Sequence, residues 1–63
     1  MTPIKSHIML AEEFTKTAQA TVELIEEGKL KGNEAKMGLY VIETTIQKAK
    51  EQIIMAKLYT KEH

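Results

Sequence analysis

The second half of the chain carries apolar side chains at Ala35, Leu39, Ile42, Ile46, Ala49, Ile53 and Ala56, at alternating steps of four and three. That alternation puts all seven on one stripe of an α-helix, and its mixture of alanines with larger aliphatics suits the close approach of another helix. The first half repeats the pattern with Ile4, Ile8, Ala11, Ala18, Val22 and Ile25, and Thr15 fills the one polar step. Leu10, Phe14 and Leu24 widen this stripe, while Lys5, Glu12, Glu13, Lys16, Glu23, Glu26 and Glu27 occupy the remaining arc. The pattern predicts two amphipathic helices, over about 4–27 and about 34–59.

Local signals set the ends of these helices. Thr2 before Pro3 reads as an N-cap followed by proline at the first helical position, with Ser6 a competing cap one turn later. Gly28 can take the left-handed conformation that stops a helix, and Leu30 is placed to fold back on its last turn. Gly32 and Asn33 loosen the chain and cap the second helix, with Glu34 in its first turn and fraying expected over residues 60–63. A turn of residues 28–33 between long helices makes them antiparallel neighbours in a single all-α domain. Gly38 inside helix 2 is unfavourable for a helix and implies a close neighbour, for which Phe14 and Leu24 are candidates.

A hairpin meets along one line, and the helix 1 stripe is too broad for one neighbour to cover. With 63 residues and no cysteine, the chain also lacks disulfides as a remedy for a small core. Self-association is the remedy left, so the expected architecture is an antiparallel helical hairpin that forms a homodimeric four-helix bundle. Its oligomer interface would comprise Ile4, Ile8, Ala11, Phe14, Ala18, Val22 and Ile25 with Leu39, Ile42, Ile46, Ala49, Ile53 and Ala56. Two outer groups on helix 2, Met37, Tyr40, Val41 and then Ile54, Met55, Leu58, remain as surfaces for a protein partner or a larger assembly. Tyr59 and Met9 would extend the second group. The alternative is that the hairpin crosses so as to bury one group, or that Leu30 and the turn cover Met37 and Val41.

Charge narrows the choice of partner. Nine lysines balance nine glutamates, with neither Arg nor Asp, and the helix-forming character of both residues suits long solvated helices. The neutral total and the missing guanidinium groups make nucleic acid a second-rank partner. Residues 1–27 carry two Lys and five Glu, residues 28–63 seven Lys and four Glu, so the halves are charged −3 and +3 and favour pairing helix 1 with helix 2. No apolar run reaches the roughly 18 residues of a membrane span, and the expected setting is the cytoplasm.

In overall plan the chain resembles the Rop family of plasmid copy-number regulators, short helical hairpins that dimerise into four-helix bundles. It begins Met1-Thr2 as they do and carries Phe14, although its apolar register differs. The resemblance implies an RNA-contacting helix 1 face of Phe, basic and amide residues, for which Lys5, Phe14 and Gln19 are the counterparts. Glu12, Glu13, Glu23, Glu26 and Glu27 on the same helix would repel phosphate.

The residues offer no catalytic, cofactor or metal motif. His7 and His63 are not spaced as a ligand pair, and the paired glutamates at 12–13 and 26–27 lack apolar surroundings that would separate two carboxyl groups into acid and base. The turn lysines Lys29, Lys31 and Lys36 read first as neutralising a helix end. The first expectation is therefore a non-enzymatic regulator or inhibitor that binds a protein through the outer face of helix 2. A helical-bundle RNA binder using Lys48, Lys57 and Lys61 or the turn lysines, and a purely structural oligomerisation module, are the alternatives.

Overall fold

A computed structural model describes residues 2–61 and consists of two helices, α1 (Pro3–Glu26) and α2 (Asn33–Lys61), folded against one another as a hairpin. Thr2 is extended, at φ −76° and ψ 153°, and its Oγ1 accepts the Lys5 N–H at 3.2 Å. Pro3 occupies the next position, where its missing N–H leaves nothing unpaired. Ser6 lies inside the first turn, its N–H donating to the Thr2 carbonyl at 3.0 Å, so Thr2 alone caps α1.

The end of α1 is a Schellman motif. Gly28 has φ +75°, the Gly28 N–H donates to the Ile25 carbonyl at 3.0 Å, and the Lys29 N–H donates to the Leu24 carbonyl at 2.9 Å. Gly32 is also left-handed, at φ +58°, and its carbonyl accepts the Lys36 N–H at 3.1 Å. Asn33 is thus the first residue of α2 and not its cap, because the first helical carbonyl belongs to Gly32. Helix α2 also runs past the predicted end: Thr60 is helical, with its Oγ1 donating to the Ala56 carbonyl at 2.7 Å. Residues 62 and 63, where fraying was expected to finish, lie outside the described residues.

The helices meet along a ladder of smaller and more polar residues than the apolar stripe alone implies. From α1 it takes Ile4, His7, Ala11, Phe14, Ala18, Thr21 and Ile25, and from α2 it takes Ala35, Gly38, Ile42, Thr45, Ala49, Gln52, Ala56 and Tyr59, all buried or half-buried. Both series advance by alternating threes and fours, the repeat of helices packed side by side. Gly38 permits the close approach: a Cβ there would lie 3.2 Å from Ile25 Cδ1 and 3.3 Å from both Leu30 Cδ1 and Thr21 Cγ2. Its neighbours are therefore Ile25, Leu30 and Thr21, where the sequence reading named Phe14 and Leu24. Leu30 folds onto this point, and Met37 stays 65% exposed.

At the open end, His7 Nδ1 lies 2.6 Å from Gln52 Oε1 and the His7 ring stacks on Tyr59 with centroids 5.7 Å apart. Tyr59 is consequently held in the hairpin and does not extend an outer patch. Midway along the molecule, Lys48 Nζ stands 5.9 Å from the centre of the Phe14 ring.

Little of this hairpin is fully enclosed. Among the described residues the buried apolar side chains are Ala11, Ala18 and Ala56. The molecule measures 48 × 16 × 12 Å. It exposes 4980 Å², whereas a compact monomer of its mass exposes roughly 4100 Å². The excess is close to the ~800 Å² that one partner contributes to a protein–protein interface of ordinary size.

Candidate functional site

Part of the unused apolar surface lines a groove along one face of the hairpin. Ile8 and Thr15 of α1 and Ile46 and Ile53 of α2 line it, with Ala11 and Ala49 on its floor, around a volume of about 860 Å³. Ile8 is one turn-edge beyond the ladder column that carries His7, and Ile46 and Ile53 stand in the same relation to Thr45 and Gln52. Each helix thus has one central column shared by the hairpin contact and two flanks. The hairpin closes over one flank and leaves the other, with Ile8 at 41%, Ile46 at 48% and Ile53 at 40% exposed. Leu39, in the same column as Ile46 and Ile53, is exposed as well.

Thr15 is the polar member of the groove wall, and its hydroxyl is already satisfied. Its Oγ1 donates to the Ala11 carbonyl at 2.7 Å, a local bond that leaves the methyl group to face a neighbour. The rim is largely polar: Glu12, Lys16 and Gln19 stand on the α1 side and Lys50 and Lys57 on the α2 side, with Ile54 its one apolar member. An apolar trough with a polar rim has the anatomy of a protein-binding surface.

Among the residues expected at an oligomer interface, Ala11, Ala18 and Ala56 are buried in the hairpin itself. Ile4, Phe14, Val22, Ile25, Ile42 and Ala49 are half-buried, and Ile8, Leu39, Ile46 and Ile53 are exposed. All six residues of the two outer α2 groups, Met37, Tyr40, Val41, Ile54, Met55 and Leu58, are exposed. They do not form one surface. Tyr40 and Ile54 share a column on the groove side of α2, while Val41 and Met55 share a column with Lys48, on the side of Phe14.

The groups that resemble an RNA face are also divided. Gln19 lines the groove, whereas Phe14 is half-buried beneath Lys48 on the other face. The apolar pattern alone does not show the engagement of His7, Gln52 and Tyr59, for which the signal is their place in the same three-and-four ladder, nor that of Lys48, which stands beside the ladder over Phe14.

Among the described residues, the ion pairs are Lys16–Glu13 at 3.5 Å and Lys29–Glu27 at 3.2 Å, both at the surface. Such exposed pairs contribute little to stability. No group of three or more His, Asp or Glu converges among the described residues, and no described helix is long and apolar enough to cross a membrane. No protein family, curated protein or solved structure matches the chain.

Proposed function

We propose that this chain is a small non-enzymatic regulatory or inhibitory protein that works as a homodimeric four-helix bundle and binds a protein target through the outer face of α2. The observation that carries the reading is the open groove in which Ile8, Ile46 and Ile53 stand exposed along both helices. A second hairpin laid face to face would fill that trough with the same residues, as an isologous contact requires. Each large aliphatic side chain fully buried this way contributes ~1.5–3 kcal/mol, enough to decide the fate of a chain with so small a private core. The rim supports the same reading. Glu12 and Lys16 lie on one side and Lys50 and Lys57 on the other, so a copy whose α1 crosses over α2 can set Glu12 beside a lysine of its partner.

Closing the groove leaves Tyr40 and Met37 outside, together with the columns on the far side of α2. Rigid helical faces of this kind regulate by blocking or bridging a target and need no catalytic group. The test is sedimentation velocity on the wild-type chain and on Ile46→Glu and Ile53→Glu. The reading expects a wild-type mass that is a multiple of the chain's 7.2 kDa and a lower mass for either variant. A monomeric wild type that melts cooperatively at micromolar concentration would overturn it.

A further inference from the structure

The flank of α2 away from the groove carries a pattern that is its own complement. Lys48 fixes which flank this is, because its Nζ stands over Phe14. Val41 and Leu58 lie at the two ends, both exposed, and Lys48 and Glu51 lie between them. Among the described residues neither Lys48 nor Glu51 is held in an ion pair. The order Val41, Lys48, Glu51, Leu58 has gaps of seven, three and seven residues. Reversed, it reads apolar, acid, base, apolar at the same gaps, so each charge meets its opposite.

We propose that this flank binds the same flank of a second copy, with the two α2 helices antiparallel about a two-fold axis passing between residues 49 and 50. That axis sets Lys48 against the partner's Glu51 and Glu51 against the partner's Lys48. It also sets Val41 against the partner's Leu58 at both ends, ~25 Å apart along the helix. Met55 then covers the partner's Thr44. A two-fold contact must present one patch to itself, and the self-complementary charge order meets that condition in this register, whereas any shifted register breaks both Lys48–Glu51 pairings. This inference rests on the reading of the outer α2 face as a binding surface and names the partner for its Lys48 side. Together with closure of the groove, it makes the assembly a tetramer with two different isologous contacts.

Native mass spectrometry and sedimentation equilibrium on charge-swapped chains test it. Lys48→Glu and Glu51→Lys each create two like-charged contacts and should weaken tetramer formation by roughly tenfold or more. The double swap Lys48→Glu with Glu51→Lys should restore it, although it lacks the Lys48–Phe14 contact just as the first variant does. Circular dichroism on each variant establishes that the hairpin is retained, since both positions are exposed. In the wild type, carbodiimide should join Lys48 to Glu51 between chains, read in mixed isotope-labelled samples. Ile46→Glu tests the groove separately: with the groove broken, the chain should remain a dimer that the single swaps dissociate. A dimeric wild type indifferent to the swaps, failure of the double swap to restore the tetramer, or cross-links only within a chain would each overturn the proposal.

Discussion

His7 Nδ1 and Gln52 Oε1 stand 2.6 Å apart across 45 residues of sequence, a polar bond in the seam where the apolar stripe alone would place aliphatic side chains. The amide oxygen accepts, so the imidazole carries its proton on Nδ1 when neutral. One face of the ring is covered by Tyr59. Nitrogen-resolved NMR should find the Nδ1–H tautomer, and the Nε2–H form would contradict the bond. Gln52→Leu should lower the unfolding free energy by about 1 kcal/mol, the net value of one such bond. Loss of aromatic packing should make Tyr59→Ala at least as costly, about 1–2 kcal/mol in denaturant melts.

Gly38 gives a prediction in which two effects oppose one another. Alanine is better than glycine in a helix by ~1 kcal/mol, but its Cβ would press on Ile25, Leu30 and Thr21 at 3.2–3.3 Å. Ile25 Cδ1 and Leu30 Cδ1 are side-chain ends able to give by a few tenths of an ångström, whereas Thr21 Cγ2 is held by its β-branch and by the Thr21 Oγ1 bond to the Thr17 carbonyl, so the gain and the crowding nearly offset and Gly38→Ala should stay within about 1 kcal/mol of wild type. Gly38→Leu has no such escape and should cost about 1–3 kcal/mol by overpacking. Equal stability of the two variants would mean that the helices do not approach closely at this point.

The two turn glycines should differ from Gly38 in the origin of their cost. Gly28 at φ +75° and Gly32 at φ +58° have ample space, with the nearest side-chain atom to a Gly28 Cβ at 3.7 Å and none within 4 Å at Gly32. Alanine at either site is penalised by backbone conformation alone, by about 1–2 kcal/mol. Asparagine, which tolerates the left-handed region, should recover part of that loss in thermal melts. If Asn and Ala prove equally damaging at residue 28, the Schellman geometry is not what ends α1.

The two helices, their antiparallel order and the turn were legible in the sequence because each rests on local chemistry: Thr2 with Pro3, Gly28, and an apolar repeat of threes and fours. The choice of flank was not. Leu39, Ile46 and Ile53 are the more apolar column, yet the hairpin closes over Gly38, Thr45, Gln52 and Tyr59. Small Gly38 and Ala56 let the backbones approach, and His7, Gln52 and Tyr59 satisfy one another across the seam. Periodicity reports that a column faces some neighbour, and it is silent about whether that neighbour is the same chain. The outer groups suffer from the same limit: Met37, Tyr40 and Val41 lie within five residues of sequence, but a helix turns about 100° per residue and sends Tyr40 and Val41 to different faces.

Thr15 distinguishes a groove that is closed from one that stays wet. Its hydroxyl bonds to the Ala11 carbonyl at 2.7 Å, and its neighbours in the groove wall are Ile8 and Ile46. Thr15→Val removes the hydroxyl and keeps the branched shape, and the Ala11 carbonyl retains its helical partner. If a second hairpin covers the wall, the change buries an extra methyl group in each copy and the bundle should melt at a higher temperature, with a gain of about 0.5–1 kcal/mol per chain. The melting temperature of both proteins should also rise with concentration, as it must when association and folding are linked. If solvent fills the groove, Thr15→Val gains nothing from burial and its midpoint should match that of wild type at every dilution. A concentration series of thermal melts on the two chains therefore separates the outcomes without knowledge of any other partner.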